Sequence, residues 1–270
     1  MINYIKIREN TRQFLATTSL YVEEFDVLLP YFVSEWYKFY RQYKTNGERR
    51  KAPNSNPMKD TKTLPTVEDK LFFILSYLKN NTLQNFHGIS FGMSQGKASR
   101  WIKILKETLE VALSKMGVLP NREGQALASI IEDLGIKTVL QDATERGIQR
   151  NKDQGVQEDE FSGKAHDHNI KNHIVSTKDQ EVIFLGYTCS GSVSDKKIVD
   201  EAELTFPKGI YLMDDRGYQG YNPEAVHVQR PIKKPKNREY TKLKKWFNKT
   251  VSSVRISVEH VMSGVKRCRI

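Results

Sequence analysis

The spacing of the apolar residues changes about halfway along this 270-residue chain. In the stretch 67–81 apolar side chains recur every three or four residues, which predicts a helix. In 136–142 they alternate with polar side chains, which predicts a strand. Two further apolar runs, 170–176 and 182–189, flank a short polar turn and predict a β-hairpin. We therefore expect a helical part followed by an α/β part.

The helical part is expected to cover residues 1–125. Aromatic residues at helical spacing fill 21–44, where Pro30 is expected to divide the segment into two short helices. The stretch 45–66 contains three prolines and a Lys/Arg cluster but almost no apolar residues, which is typical of an exposed linker.

A helix-turn-helix-like unit is predicted at about 67–106. A first helix ends near residue 80, a shorter apolar segment follows, and Ser94 stands where an N-cap would open a third helix to about Leu105. Three short helices with a polar, basic last helix resemble a helix-turn-helix, although an ordinary three-helix packing unit has the same pattern. The residues of the last helix that are free to contact DNA are Gln95, Lys97, Arg100 and Lys103.

The α/β part is expected to cover residues 126–270. Its predicted order is a strand that ends at Asp142, the hairpin, a helix over 195–204, a strand over 209–215, and a late helix that carries Glu259. This order fits a ribonuclease H-like α/β fold, in which acidic residues lie on the first strand, after the fourth strand and on a late helix. The fold class predicted is therefore α/β, preceded by an all-α region.

The late helix places charged residues on one face. At 100° per residue, Arg255, Glu259 and Lys266 fall within about 40° of one another. The adjoining arc is apolar and would be buried; it consists of Val258, Val261, Met262 and Val265. The alternative explanation for Glu259 is a helix-stabilising pair with Arg255 four residues earlier, worth about 0.3 to 0.5 kcal/mol.

Asp142, Asp215 and Glu259 together suit the metal-dependent chemistry of phosphodiesters. Breaking or transferring a phosphodiester requires an activated nucleophile and a stabilised leaving oxygen, which two Mg²⁺ ions held by carboxylates can supply. Taken singly, Asp142 also fits a solvent-facing acid that closes a strand, and Asp215 fits a turn residue. Asp214 and Asp215 are adjacent, so strand alternation points them to opposite sides and only one is expected to serve.

The overall charge favours a polyanionic partner. Lys and Arg number 43 against 32 Asp and Glu, a formal net charge of +11. Nucleic acid is the first candidate and an anionic membrane the second, while solubility is the ordinary explanation. The two cysteines, Cys189 and Cys268, form no CxxC pair, which argues against a zinc site or a disulfide framework. With no signal peptide and no apolar run long enough to span a bilayer, the chain is expected to be soluble and intracellular.

Several stretches carry a resemblance to the transposases of bacterial insertion sequences in the DDE superfamily endonuclease group, close to the insertion-sequence-five type. They are LFFILSYLKNNTLQNFHGISFGMSQGKASRWI, DATERGIQR, FSGKAHDHNIKN, DDRGYQGYNP and PIKKPK followed by NKTVSSVRISVEHVMSGVKR. The resemblance covers nearly the whole chain. Residues that differ from those usual in the family are Gly147, Asn151, Ala165, Ser194 and Ser252. The chain stops eleven residues after Glu259, where such proteins usually continue, which suggests a truncated copy.

The resemblance implies a transposase that binds terminal inverted repeats, then cleaves and joins DNA strands with Mg²⁺, or Mn²⁺ as a substitute. It makes Asp142, Asp215 and Glu259 the catalytic and metal-binding triad. It implies terminal-repeat and target DNA as partners, a homo-oligomer on DNA, no membrane partner, and a bacterial, nucleoid-associated location. The basic residues expected to contact DNA outside the helical part are Lys164, Lys171, Lys233, Lys234, Arg255 and Lys266. Two alternatives remain: an inactive remnant that only binds transposon ends, and a sequence-independent metal nuclease.

Overall fold

The computed structural model describes residues 2–54, 63–234 and 239–267, without the side chain of Arg267. The chain divides into two compact units, one reaching Leu119 and the other spanning Pro120–Lys266. In the described ranges no helix is long and apolar enough to cross a bilayer.

The first unit is helical. Its helices are α1 (Tyr4–Arg8), α2 (Thr11–Thr18), α3 (Val22–Gln42), α4 (Val67–Asn80), α5 (Gln84–Ser90) and α6 (Gln95–Met116). Aromatic rings dominate the core: Trp36 on α3 stacks on Tyr40 with ring centroids 5.1 Å apart, and lies 5.7 Å from the ring of Trp101 on α6. The packing of these large rings ties the longest helices of the unit together.

Pro30 does not divide α3, so the prediction of two short helices is wrong. The helix runs through Pro30 for 21 residues. Buried aromatic residues lie on both sides of it, with Phe25 before and Phe32 and Trp36 after, all at 0% exposure. Their burial against the rest of the unit offsets the hydrogen bond that proline cannot donate.

The three helices predicted for the helix-turn-helix-like unit are present, with one difference in length. Helix α4 ends at Asn80, and Asn81 takes the left-handed conformation with φ of 43°. Helix α6 starts after Ser94, as predicted, but continues without a break to Met116 instead of ending near Leu105. Its apolar stripe continues through buried Leu109 and Ala112, which explains the greater length.

The second unit is a mixed sheet with helices on both faces. Its helices are α7 (Leu127–Asp133), α8 (Gln154–Glu160), α9 (Asp195–Glu201) and α10 (Lys242–Arg267), and its strands are β1 (Thr138–Gly147), β2 (Phe161–Ser162), β3 (Asp167–Thr177), β4 (Val182–Ser190), β5 (Tyr211–Met213) and β6 (His227–Gln229). Strand β1 pairs antiparallel with β3 and parallel with β5; β3 also pairs with β4 and the short β2, and β5 pairs with β6. The predicted hairpin is confirmed as β3 and β4. This arrangement is that of a ribonuclease H-like domain, as predicted.

The two faces of the sheet bury different side chains of the same strands. On one face Val139 and Leu212 pack with Leu127 and Ile131 of α7. On the other face Leu140 of β1 and Met213 of β5 pack beneath α10. The apolar stripe predicted for the late helix is confirmed: Val258, Val261 and Met262 are buried there, and Val265 is partly buried.

Candidate catalytic site

Asp142 lies in the middle of β1, not at the end of a strand as predicted. The strand continues five residues further to Gly147, because β3 pairs with it along this length. Asp142 is two residues beyond Leu140, so alternation points it to the face covered by α10. Its side chain is only 22% exposed.

Asp215 reaches the same face from the neighbouring strand. Leu140 and Met213 are partners in the parallel pairing of β1 with β5. Asp142 and Asp215 each follow this pair by two residues, which brings the two carboxylates together under α10. Asp215 Oδ1 accepts a 2.6 Å hydrogen bond from the Gly217 amide, which opens a 3₁₀ turn at 216–218.

Asp214 points away from this site, in agreement with the expectation that only one of the adjacent acids serves. It is fully buried and receives two hydrogen bonds from Arg230, at 2.7 and 2.8 Å, and one of 3.1 Å from Gln141. Because Arg230 and Gln141 occupy its oxygens, Asp214 has a structural role in joining β1 to β5.

The pKa of Asp142 is raised to about 6. Burial is the largest cause, and the nearby charges of Asp215 and Asp195 raise it further. A hydrogen bond from the Ala143 amide and the charge of Arg255 act in the opposite direction. A carboxylate in this setting is stabilised either by a proton or by a bound cation.

The late helix brings Arg255 to Asp142 but leaves Glu259 apart. The Arg255 guanidinium lies 3.9 Å from Asp142 Oδ2. Glu259 is exposed, and within the described ranges no ion pair or hydrogen bond joins it to another residue, so the alternative pairing with Arg255 is not observed. Lys266 is exposed. The structure therefore brings together two of the three predicted acids, Asp142 and Asp215, with the guanidinium of Arg255 beside them.

The donor chemistry of this pair fits a hard divalent cation. Carboxylate oxygens are the preferred ligands of Mg²⁺, and the raised pKa of Asp142 indicates that burial and the neighbouring acids disfavour its uncompensated negative charge. Over the part of the chain that the structure describes, no three acidic, histidine or cysteine side chains stand close enough together to hold a metal ion. Asp142 and Asp215 would thus be the first ligands, and a third side chain would have to turn towards them.

Two residues near the pair, Asp195 and Tyr218, were not singled out from the sequence, and a third, Lys171, was predicted only as a DNA contact. Asp195 begins α9 and acts electrostatically on Asp142. Lys171 of β3 is buried, with its ammonium 3.5 Å from both Asp195 and Glu145. Tyr218 follows Asp215 and is fully buried. Tyr218 could have been predicted to lie near the site because it stands in the DDRGY stretch with Asp215. Nothing local in the sequence places Asp195 next to Asp142.

The residues predicted to contact DNA fall into exposed and enclosed groups. Those with exposed side chains are Gln95, Arg100, Lys103, Lys164, Lys233, Lys234 and Lys266. Lys97 is partly buried and bonded to Thr63, and Arg255 faces Asp142. Lys171 is only 7% exposed and is paired with acids, so the structure does not place it on a DNA-facing surface. Lys236, the third lysine of the PIKKPK stretch, lies outside the described residues.

The histidine-rich stretch 166–173 contributes to no group of metal-binding side chains within the part of the chain that the structure describes. His166 is exposed in a turn, and His173 is fully buried in the sheet on the face away from α10. Burial lowers the pKa of His173 to about 3, so this side chain is neutral at physiological pH.

Comparison with known proteins agrees with the geometry of both units. Residues 141–270 match a family described as "DDE superfamily endonuclease", and residues 62–115 match "Helix-turn-helix of DDE superfamily endonuclease". The "Probable transposase for insertion sequence element IS702" of Microchaete diplosiphon is 27% identical over 224 residues, which cover 83% of this chain and 76% of that protein. No solved structure matches the chain.

The second match begins just before α4 and ends just before the end of α6, so it contains all three helices of the predicted DNA-binding unit. The first match begins at Gln141 and contains Asp142, Asp215 and Glu259. Residues 62–115 and 141–270 are thus similar to the helix-turn-helix and the endonuclease domain of the DDE superfamily, and the chain is similar over 224 residues to an insertion-sequence transposase.

Proposed function

We propose that this protein is a DNA transposase of the insertion-sequence-five type, which binds terminal inverted repeats and catalyses the cleavage and transfer of DNA strands. The observation that carries the proposal is the pair of Asp142 and Asp215. Each of them lies two residues beyond a paired position on neighbouring parallel strands, and Arg255 lies beside Asp142. The insertion-sequence-five type rests on the resemblance of the motifs quoted above.

Asp142 and Asp215 would hold Mg²⁺, or Mn²⁺ in its place. When bound, the cation would supply a Lewis acid that activates an oxygen nucleophile and stabilises the leaving oxygen. Arg255 places positive charge where a phosphodiester would approach the carboxylates. Glu259, one helical turn beyond Arg255, is the third acid of the proposal. In the proposed reaction water first frees a 3′-hydroxyl, which then attacks target DNA in the same site.

Recognition of the transposon ends is assigned to the exposed surface of α6. Gln95, Arg100 and Lys103 lie on its first three turns with exposed side chains. Amide and guanidinium groups can read base edges in the major groove, while lysines neutralise phosphates. The net charge of +11 favours this binding.

A cleavage assay tests the catalytic half of the proposal. The full chain would be incubated with labelled duplex that carries one terminal repeat, with Mg²⁺ or with EDTA. Cleavage is expected with Mg²⁺ only, and Asp142→Asn, Asp215→Asn and Glu259→Ala should each reduce it to background. Asp179→Asn, in the exposed turn between β3 and β4, is the matched control and should cleave normally.

The outcomes separate the alternatives. Cleavage that survives Glu259→Ala would remove this residue from the site, and cleavage that survives Asp142→Asn would refute the proposed centre. Equal cleavage of unrelated DNA would indicate a sequence-independent nuclease. End binding without cleavage in either metal would indicate a protein that only binds transposon ends.

A binding assay tests the assignment to α6. Arg100→Ala combined with Lys103→Ala should weaken binding to the terminal repeat, and the loss of the phosphate contact of Lys103 would lower the salt slope by about 1. Glu107→Ala and Glu110→Ala, at exposed positions further along the helix, serve as controls. Sedimentation of the protein with DNA that carries two terminal repeats would show whether a homo-oligomer brings the transposon ends together, as the proposal requires.

A further inference from the structure

Asp195 lies against the pair formed by Asp142 and Asp215, although it comes from a different element. A Cβ added to Gly217 would lie 2.5 Å from Asp195 Oδ2 and 2.9 Å from Asp215 Oδ1. Both distances are shorter than real Cβ contacts, so the two carboxylates approach each other across a gap that only glycine leaves open. Asp195 also acts electrostatically on Asp142. Carboxylates from β1, α9 and the end of β5 therefore lie in the same neighbourhood, although among the described residues they are not close enough together to form a three-ligand set.

Lys171 fixes the orientation of Asp195. Its ammonium lies 3.5 Å from Asp195 Oδ1 and donates a 3.1 Å hydrogen bond to the Val193 carbonyl just before α9. Because Lys171 is buried and also contacts Glu145, it has little freedom to move. One oxygen of Asp195 is thus held by the lysine, while the other faces Gly217 and Asp215.

Tyr218 gives an independent indication that something binds here. Its hydroxyl is buried and has no hydrogen-bond partner among the described residues. Burial, followed by the charges of Asp142, Asp195 and Asp215, raises its pKa well above the ordinary value, so the hydroxyl stays protonated as a donor. A buried donor without an acceptor destabilises the folded protein. Water bound to a cation, or a carboxylate turned by one, would provide the missing acceptor.

We infer that Asp195 is a third carboxylate of the cation-binding centre formed with Asp142 and Asp215, and that the ligand is a hard divalent cation such as Mg²⁺ or Mn²⁺. The inference rests on the proposed function, since it concerns the same centre. Glu145, Asp142, Asp195 and Asp215 carry four negative charges against two positive charges on Lys171 and Arg255, and a single divalent cation balances the difference. Binding requires the carboxylates of Asp142 and Asp215 to turn towards Asp195, which Lys171 holds in place, because the present spacing of the three acids forms no three-ligand set among the described residues.

The test is Mn²⁺ binding by the full chain without DNA. Free Mn²⁺ would be measured by electron paramagnetic resonance during titration of the metal-free protein. Asp195→Asn should raise the Kd by about 10- to 100-fold, as loss of groups that hold or orient a metal typically does. Asp142→Asn should weaken binding at least as much. Asp200→Asn, exposed on the same helix α9, is the matched control and should leave the Kd unchanged.

Asp195→Glu is the control for a folding defect, because it keeps the negative charge beside Lys171 while the carboxylate moves by the length of one methylene. It should fold as the wild type does, judged by circular dichroism in EDTA, and should give an intermediate Kd. If Asp142→Asn weakens Mn²⁺ binding while both Asp195 variants bind as the wild type does, the inference is overturned and the proposed function stands. If Asp142→Asn also leaves binding unchanged, the proposed centre itself is wrong.

Discussion

Replacement of Asp142 by asparagine should stabilise the metal-free protein at neutral and alkaline pH. The pKa of Asp142 is raised from the ordinary 3.8 to about 6, chiefly by burial of its side chain. At 1.36 kcal/mol for each pKa unit, the ionised form costs the folded state about 3 kcal/mol. Asparagine removes this charge but retains an oxygen that can accept the Ala143 amide hydrogen bond of 2.8 Å.

The pH dependence follows from the sign of the change in pKa. Because the folded state binds a proton more tightly than the unfolded state, the stability due to protonated Asp142 is fully present below about pH 4. It is lost as the pH rises through about 6. The asparagine variant does not titrate at this position, so its advantage should be absent near pH 4 and reach about 3 kcal/mol at pH 8.

Urea denaturation in EDTA at pH 4.5 and pH 8 would measure this difference. Asp179→Asn, which removes an exposed carboxylate from the hairpin turn, is the control for a general charge effect and should show no such gain. Added Mg²⁺ should stabilise the wild type and not Asp142→Asn, because only a protein that retains the carboxylate gains free energy from the bound cation. An Asp142→Asn protein no more stable than the wild type at pH 8 in EDTA would refute the reasoning.

Three further predictions, with four substitutions among them, have defined outcomes. Arg230→Met leaves the buried Asp214 carboxylate without its partner and should cost about 3 to 5 kcal/mol by urea denaturation at pH 8; a cost that does not shrink at pH 5 would contradict this account. Gly88→Ala would place a Cβ 2.7 Å from the Met93 carbonyl oxygen and should therefore lower both the Tm and the affinity for DNA. In Gly96→Ala the added Cβ has no neighbouring atom within 4 Å, so this helix substitution should raise the Tm. Pro30→Ala should stabilise the helical unit by about 1 to 3 kcal/mol, since alanine restores a hydrogen bond inside α3, and a lower Tm would show that the proline is required.

The fold was largely predictable because periodicity reports which face of each element is buried. Alternation in 136–142 predicted β1, and the stripe from Val258 to Val265 predicted the buried face of α10. The predictions were wrong where tertiary packing determines how far a helix or strand extends. Aromatic residues on both sides of Pro30 hold α3 together, and pairing with β3 extends β1 beyond Asp142.

The site was predictable in part, for a physical reason. Asp142 and Asp215 meet because each lies two residues beyond a paired position, Leu140 with Met213, on neighbouring parallel strands. Asp195 is different, since its place beside them depends on the path of the loop after β4 and on the ion pair with Lys171. Neither leaves a spacing pattern in the sequence.

The apolar stripe of α10 fixes the register of the helix on the sheet. A shift of four residues, about 6 Å along the axis, would bring Glu259 to the position that Arg255 holds beside Asp142. The same shift would place Arg255 at the buried position of Val251 and Lys266 at the buried position of Met262. Because burial of these two charges would be costly, the stripe keeps Arg255, and not Glu259, beside Asp142.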